Sequence, residues 1–184
     1  MKPKVPLSFG EGEGGEAMTI AEFDHMDIKE KKALLLQCCG SSAWVEKMVR
    51  MPAVEDLVDL FEDAEEAWYQ CKSDDWKEAF SHHPKIGDVE MLRKKYSADQ
   101  FVGNEQSGVK NASDEVLKKL AEGNAAYEKK FGYIFIVCAT GKSADEMLSL
   151  LQERLGNNPD EEIQNAMEEQ NKITKIRLEK LFEA

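Results

Sequence analysis

Residues 131–140 have the sequence FGYIFIVCAT, and this stretch decides the fold class. It is aromatic, β-branched and apolar, which is the composition of a β-strand. No second stretch of the chain has this character, and a single strand cannot form a sheet. We therefore predict an all-α fold, in which residues 131–140 form either a buried extended segment or a helix despite their propensity.

The sequence on both sides of this stretch predicts helices, because apolar residues recur there at a spacing of three or four. On the N-terminal side the predicted helices run from Thr19 to about Gly40, from a cap at Ser42 to before Pro52, over residues 57–68, and from a cap at Asp74 or Asp75 to Phe80. On the C-terminal side they run from Ser113 to about Lys130, from Ser143 to near Gly156, and from Pro159 to about Phe182. Between Ser81 and Gly108 the helix breakers proline and glycine predict a loop.

The chain divides by composition into a short tail and one domain. Residues 1–17 are rich in glycine and glutamate, bury little apolar surface, and are predicted to be a disordered N-terminal extension. Met18 is then an alternative start of the protein. Residues 18–184 are predicted to form one compact multi-helix domain, a size that supports a single hydrophobic core.

Charge and composition exclude several classes of function. The net charge of −12 argues against a nucleic-acid partner, because phosphate binding needs a basic face. No apolar run reaches the roughly 18 residues of a membrane span, so we expect no membrane partner. The four cysteines form no CxxC pair, which argues against a zinc ribbon or a thioredoxin-type motif. A chain of this length needs no disulfides, so we expect reduced thiols and a cytoplasmic location.

Two adjacent histidines mark the point where the fourth predicted helical region gives way to the loop. Pro84 ends that helix and directs His83 into an extended conformation, while Gly87 permits an unusual turn. A rigid break of this kind can aim a side chain accurately, which would suit a functional role for the two histidines. On the residues alone the favoured interpretation is a helix stop with His82 and His83 exposed to solvent.

Arg177 lies near the middle of the apolar face of the last helix. The other residues of this face are Ile163, Ala166, Met167, Gln170, Ile173, Thr174 and Leu181. A buried guanidinium is costly unless it is paired, so Arg177 is either one half of a structural ion pair or a clamp for an anionic or amide group of a ligand. Glu105 and Gln106 lie in the loop and are, on the sequence alone, either solvated or part of a site.

Six stretches, in this order, resemble the OHCU decarboxylase family, in which OHCU is 2-oxo-4-hydroxy-4-carboxy-5-ureidoimidazoline. They are Cys38-Cys39-Gly40-Ser41-Ser42, Trp76-Lys77-Glu78-Ala79-Phe80, His83-Pro84-Lys85-Ile86-Gly87, Glu105-Gln106, Phe131-Gly132-Tyr133-Ile134-Phe135-Ile136 and Lys172-Ile173-Thr174-Lys175-Ile176-Arg177. The resemblance covers essentially residues 18–182.

The resemblance implies an all-α homodimer without a metal or organic cofactor. It implies decarboxylation of OHCU to (S)-allantoin in urate degradation, with OHCU as the small-molecule partner. The implied catalytic residues are His83, Glu105 and Arg177. The implied substrate-binding residues are Pro84, Gln106, Phe131, Gly132, Ile134, Phe135 and Ile136, the last five mainly through their main chain. Whether His83 acts as an acid, a base or both stays open.

Two other functions remain as alternatives. A non-catalytic acidic helical interaction domain predicts that Arg177 binds only a structural carboxylate. A metal-dependent hydrolase would use His25, His82 and His83, but adjacent histidines point in different directions and no HExxH-like pair is present. Convergence of His83, Glu105 and Arg177 on one cavity would favour the decarboxylase.

Overall fold

A computed structural model describes residues 17–83 and 113–183 of the chain. These residues form eight helices: α1 (Ile20–His25), α2 (Ile28–Cys39), α3 (Ser42–Met48), α4 (Leu57–Tyr69), α5 (Ser73–Ser81), α6 (Asp114–Phe131), α7 (Ala144–Arg154) and α8 (Pro159–Glu179). No β-strand occurs within the two described ranges, which confirms the predicted all-α fold. The predicted N-terminal extension lies outside the described residues except for its last residue, Ala17.

The strand-like stretch that follows α6 is not helical. Gly132 adopts a left-handed conformation with φ 81° and ends α6, since such a backbone cannot continue a helix. Residues 134–139 belong to neither helix nor strand, so the first of the two predicted alternatives is correct. Tyr133, Ile136 and Cys138 are buried. We refer to residues 132–143 as the connecting segment, because they join α6 to α7.

The predicted starts of the three C-terminal helices are confirmed. The Ser113 hydroxyl accepts the N–H of Val116 at 3.2 Å, and the Ser143 hydroxyl accepts the N–H of Glu146 at 3.3 Å. Pro159 occupies the first turn of α8, where its missing N–H costs nothing. Side-chain caps of this kind satisfy N–H groups that have no partner within the helix.

Two predicted caps in the N-terminal half are wrong by a short distance. Ser41, and not Ser42, caps α3. α5 starts at Ser73, so neither Asp74 nor Asp75 precedes it as a cap. The Asp75 carboxylate lies within the first turn and accepts the N–H of Lys72 at 2.8 Å. The aspartate therefore faces the exposed N–H groups from inside the helix, where the positive end of the helix dipole also favours it.

α8 packs against α2, α4 and α5, whereas α6 and α7 pair with each other. Two fully buried indoles tie this core together by donating to main-chain carbonyls of other helices: Trp44 to Ala64 at 2.9 Å, and Trp68 to Met167 of α8 at 3.0 Å. Buried tryptophans thus supply apolar area without leaving an N–H unpaired. All four cysteines are free and buried.

The two ends of the described chain meet beside α1. The N–H of Met18 donates to the carbonyl of Leu181 at 3.2 Å, and the rings of Phe23 and Phe182 pack edge to face with centroids 5.9 Å apart. α8 ends at Glu179, slightly earlier than predicted. None of the described helices is both long and apolar enough to cross a membrane.

Candidate active site

The end of α5 is fastened to the end of α2 by His82. Gly40 ends α2 in a left-handed conformation with φ 80°, and its carbonyl accepts the Nδ1–H of His82 at 2.5 Å. A Cβ atom at position 40 would lie 2.7 Å from His82 Nδ1, so only glycine fits here without displacement. This contact positions the backbone that leads into His83.

His83 turns towards α8 and contacts a buried amide. Its Nε2 lies 2.6 Å from Oε1 of Gln170, and Nε2 of Gln170 donates to the Thr174 hydroxyl at 3.1 Å. Gln170 is completely buried and Thr174 is nearly so. Burial and then the charge of Arg177 lower the pKa of His83, against a smaller opposing effect of the Gln170 hydrogen bond. His83 is therefore neutral near pH 7.

Arg177 lies two turns beyond Gln170 on α8 and is half-buried. One guanidinium nitrogen donates to the carbonyls of Cys38 at 3.1 Å and Gln37 at 3.4 Å, in the last turn of α2. Among the described residues, no carboxylate lies within ion-pair distance of Arg177. Its remaining donors are directed to none of the described side chains, which suits a guanidinium that binds an anionic or carbonyl group.

We call His83, Gln170, Thr174 and Arg177 the histidine cluster. It combines a neutral imidazole that can exchange a proton with a cation that can hold an oxygen atom. The described part of the chain contains no group of three or more His, Cys, Asp or Glu side chains arranged for a metal ion.

The connecting segment is held by side chains of α7 and α8 in place of a neighbouring strand. Arg154 donates to the carbonyl of Ile136 at 2.7 Å, and the N–H of Cys138 donates to the carboxylate of Glu169 at 2.7 Å. The ring of Tyr133 packs on Phe80 of α5 with centroids 5.2 Å apart. The segment therefore lies between the helix that precedes His83 and the helix that carries Gln170.

A second polar cluster contacts this segment through the bond from Arg154 to the carbonyl of Ile136. We call Tyr127, Arg154 and Glu162 the arginine cluster. Glu162 is completely buried and Arg154 is 8% exposed. One oxygen of Glu162 lies 2.7 Å from Nε and 2.5 Å from a terminal nitrogen of Arg154, and it also accepts the Tyr127 hydroxyl. Burial and the hydrogen bond to Glu162 raise the pKa of Tyr127, so its phenol stays protonated and donates.

The structure brings together two of the three predicted catalytic residues, His83 and Arg177, closely enough for their charges to interact. Glu105 lies outside the described residues, as do the predicted substrate-binding residues Pro84 and Gln106. Phe131 ends α6, and the predicted residues Gly132, Ile134, Phe135 and Ile136 lie on the connecting segment.

Gln170 and Thr174 are members of the histidine cluster to which the sequence analysis assigns no role in the site, although Thr174 lies within the last of the six stretches. Both were placed on the same helical face as Arg177, and the signal that identifies them is their spacing. Gln170 lies one turn before Thr174 and two turns before Arg177. A buried amide on an apolar face requires a polar partner, and His83 provides it.

Comparison with known proteins identifies related sequences over most of the chain. The model of the family described as OHCU decarboxylase matches residues 24–179. The uric acid degradation bifunctional protein TTL of Arabidopsis thaliana is 38% identical over 148 residues, which are 79% of this chain and 45% of that protein. The 2-oxo-4-hydroxy-4-carboxy-5-ureidoimidazoline decarboxylase of Amia calva is 32% identical over 101 residues, 55% of this chain and 58% of that protein. The chain thus spans about half the length of these curated relatives.

Two solved structures resemble the fold. An OHCU decarboxylase crystallised in the presence of (S)-allantoin is 35% identical, with a TM-score of 0.66 over 85% of this chain and 99% of that one. An (S)-allantoin synthase structure is 20% identical, with a TM-score of 0.68 over 90% of this chain and 54% of that one. At this lower identity the second structure supports the fold alone.

Proposed function

This chain belongs to the OHCU decarboxylase family, and we propose that it converts OHCU to (S)-allantoin and carbon dioxide in urate degradation. The observation that carries the proposal is the histidine cluster, in which His83 and Arg177 lie together. A related chain, 35% identical, has been crystallised in the presence of (S)-allantoin. The alternative of an acidic interaction domain expects Arg177 to bind a structural carboxylate, whereas its described partners are main-chain carbonyls.

The substrate provides its own electron sink. The carboxylate leaves as carbon dioxide from the hydroxyl-bearing ring carbon, and the electrons of the broken bond form a double bond to the next ring carbon. The electrons of the ring C=N bond move to nitrogen, which takes up a proton. The resulting enol then loses its hydroxyl proton while the adjacent carbon gains one. Many other decarboxylases obtain such a sink from an organic cofactor.

The protein needs to orient the ring, stabilise developing negative charge and move protons on one face of the substrate. Neutral His83 can accept the hydroxyl proton and return it to carbon, or perform one of these steps alone. Arg177 would hold a carbonyl or carboxylate oxygen with the donors that α2 does not use. In the same proposal Glu105 accepts hydrogen bonds from the ureido group.

The remaining binding groups complete this proposal. Pro84 and Gln106 would contact the substrate, together with main-chain groups of Phe131 and of the connecting segment at Gly132, Ile134, Phe135 and Ile136. Delivery of the proton to one face would give the S enantiomer, whereas uncatalysed breakdown of OHCU would give racemic allantoin.

We further propose that the enzyme is a cytoplasmic homodimer that binds neither nucleic acid nor membranes. The net charge of −12 supports the exclusion of nucleic acid, because phosphate binding requires a basic surface. Multi-angle light scattering on the purified full chain tests the oligomeric state. A mass near that of the 20.8 kDa monomer would contradict the dimer.

The direct test supplies the purified protein with freshly generated OHCU and follows allantoin by circular dichroism. We expect faster loss of OHCU than in buffer and a growing signal of the S enantiomer. Formation of racemic allantoin at the buffer rate would contradict the proposal. A parallel sample dialysed against a chelator should keep its activity, whereas loss on chelation and recovery with zinc or manganese would favour a metal-dependent hydrolase.

A further inference from the structure

We propose that Gln170 is a positioning residue that holds His83 in a single tautomer, with the proton on Nε2 and the lone pair on Nδ1. Nδ1 is then the nitrogen that exchanges a proton with the substrate. The catalytic consequence rests on the proposed function, but the tautomer itself is a property of the free protein and is measurable without substrate.

The orientation of the Gln170 amide follows from a directed chain of hydrogen bonds. Gln170 Nε2 donates to the Thr174 hydroxyl at 3.1 Å, and this hydroxyl in turn bonds the sulfur of Cys39. Burial raises the pKa of Cys39 to about 12, and the contact with Thr174 partly opposes that rise. Because the amide nitrogen is engaged by Thr174, the amide oxygen is the atom that faces His83.

An amide oxygen only accepts hydrogen bonds, so the atom opposite it must carry a proton. His83 Nε2 lies 2.6 Å from Oε1 of Gln170 and is therefore the N–H of the neutral ring. The other tautomer would place two lone pairs against each other beside a completely buried amide. Nδ1 is left as the basic nitrogen.

The same contact also fixes the position of the His83 imidazole relative to the guanidinium of Arg177. Gln170 and Arg177 lie two turns apart on one helix, and this helix packs against α2, α4 and α5. His83 lies beyond the end of α5, and among the described residues Gln170 makes the only hydrogen bond to its ring. α8 thereby fixes the imidazole and the guanidinium relative to each other. The amide of Gln170 also leaves the His83 ring uncharged, whereas a carboxylate at position 170 would favour the protonated ring.

His82 provides an internal reference for the measurement. Its Nδ1 faces the Gly40 carbonyl, which accepts only, so His82 must be the Nδ1–H tautomer. The two adjacent histidines are thus expected in opposite tautomers. The chain contains three histidines, so nitrogen-15 NMR of histidine-labelled protein gives few signals, which His25→Gln and His82→Gln variants assign.

We expect the wild-type spectrum to show a protonated Nε2 for His83 at pH values above its pKa. Thr174→Val removes the acceptor that orients the amide and is nearly isosteric, so it should give a mixture of the two His83 tautomers. An Nδ1–H tautomer in the wild type, or an unchanged His83 spectrum in Thr174→Val and Gln170→Leu, would overturn the proposal.

Gln170→Glu tests the same contact through the pH profile of activity. A carboxylate beside Nε2 stabilises the charged ring, so the acid limb of kcat/KM should move up by about 1–3 pH units. Gln164→Glu introduces the same charge at an exposed position of α8 and should leave the limb in place. Gln170→Leu should lower kcat by about 10- to 100-fold, by analogy with groups that orient histidine ligands in metal sites.

Failure of this inference is distinguishable from failure of the proposed function. An Nε2–H tautomer that depends on Gln170, in a protein that does not accelerate OHCU decay, would support the positioning role and contradict the decarboxylase. Decarboxylase activity whose acid limb is the same in wild type and folded Gln170→Glu would contradict the positioning role alone. Thermal unfolding of each variant shows which proteins are folded.

Discussion

The arginine cluster and the histidine cluster each contain one arginine, but the two guanidinium groups have different partners. Arg154 is 8% exposed and pairs with the carboxylate of Glu162, with a further bond to the carbonyl of Ile136. Arg177 is half-buried and bonds carbonyls at the end of α2, with no described carboxylate in ion-pair distance. Among the described residues, a carboxylate neutralises the charge of Arg154 and none neutralises that of Arg177.

We propose that this difference separates a structural charge, that of Arg154, from a functional one, that of Arg177. A buried pair such as Arg154 and Glu162 holds its elements in register, and removal of one partner leaves an isolated buried charge. A cation such as Arg177, whose described partners are two main-chain carbonyls and whose charge acts on a neutral histidine, is suited to a ligand that brings its own negative charge. The arginine cluster should therefore affect stability, and the histidine cluster should affect turnover.

The largest expected effect on turnover is that of His83→Ala. Loss of a general acid or base costs about 10²- to 10⁴-fold in rate, so the variant should show little acceleration over buffer. His82→Ala is the control: it loses the hydrogen bond to Gly40 but keeps the reactive ring, and should retain most of its activity. Equal losses in the two variants, measured by circular dichroism of allantoin, would reject the distinction between the two histidines.

Glu162→Gln should have the largest effect on stability. It leaves Arg154 charged and buried without a carboxylate, which costs about 3–5 kcal/mol in the free energy of unfolding. Urea denaturation measures this loss, and Glu153→Gln at an exposed position of α7 is the matched control. A stable but inactive Glu162→Gln protein would place this carboxylate in the active site, against the comparison drawn here.

Arg177→Lys should lower turnover and leave stability nearly unchanged, the opposite of the effect expected for Glu162→Gln. Lysine keeps the charge and can still bond the end of α2, but it lacks the planar two-point fork. One charged hydrogen bond is worth roughly 1.5–3 kcal/mol, so catalytic efficiency should fall by about 10- to 150-fold. The free energy of unfolding should change by less than about 1 kcal/mol. A destabilised but fully active variant would make Arg177 a structural residue like Arg154.

The smallest effect is a displacement of the pH profile. Burial and the charge of Arg177 lower the pKa of His83, so its neutral form persists below the ordinary histidine pKa of about 6.5. If His83 acts as a base, kcat/KM is retained as the pH falls through that value and is lost only at the lower folded pKa. Activity that instead falls on the alkaline side of this pKa would identify the protonated ring as the active form.

The same shift makes a contribution to stability with a definite sign. Between its folded and unfolded pKa values, His83 binds fewer protons in the native state, so stability falls as the pH falls through this window. His83→Gln should remove this contribution, which urea denaturation at several pH values detects as a flatter stability profile below about pH 6.5. A profile that is unchanged in the variant would mean that the folded protein does not hold His83 in its neutral form.

Local signals were sufficient to predict most of the fold. Ser113, Ser143 and Pro159 mark helix starts through chemistry confined to a single turn, and all three are confirmed. The path of the connecting segment was left between two alternatives, since its composition favours a strand. Its hydrogen bonds come from Arg154 and Glu169 on later helices, and sequence patterns do not specify such distant side-chain partners.

The sequence allowed prediction of those residues of the candidate site that are unusual in their local sequence. Arg177 stood out because a guanidinium on an apolar face demands an explanation, and His83 because a proline follows it. Gln170 lies on the same face as Arg177 but is neutral, so its importance depends on which side chain meets it. The contact is the hydrogen bond between His83 and Gln170, which are far apart in the sequence and are brought together only by the tertiary structure.

The close approach of Gly40 and His82 also constrains how the sequence can vary. Alanine at position 40 would strain the backbone at φ 80° and would also meet the imidazole of His82. Replacing His82 with a small residue removes the second penalty but not the first, so the two substitutions should be epistatic, each changing the cost of the other. Positions 40 and 82, far apart in the chain, therefore form a single mutational unit at the junction of α2 and α5.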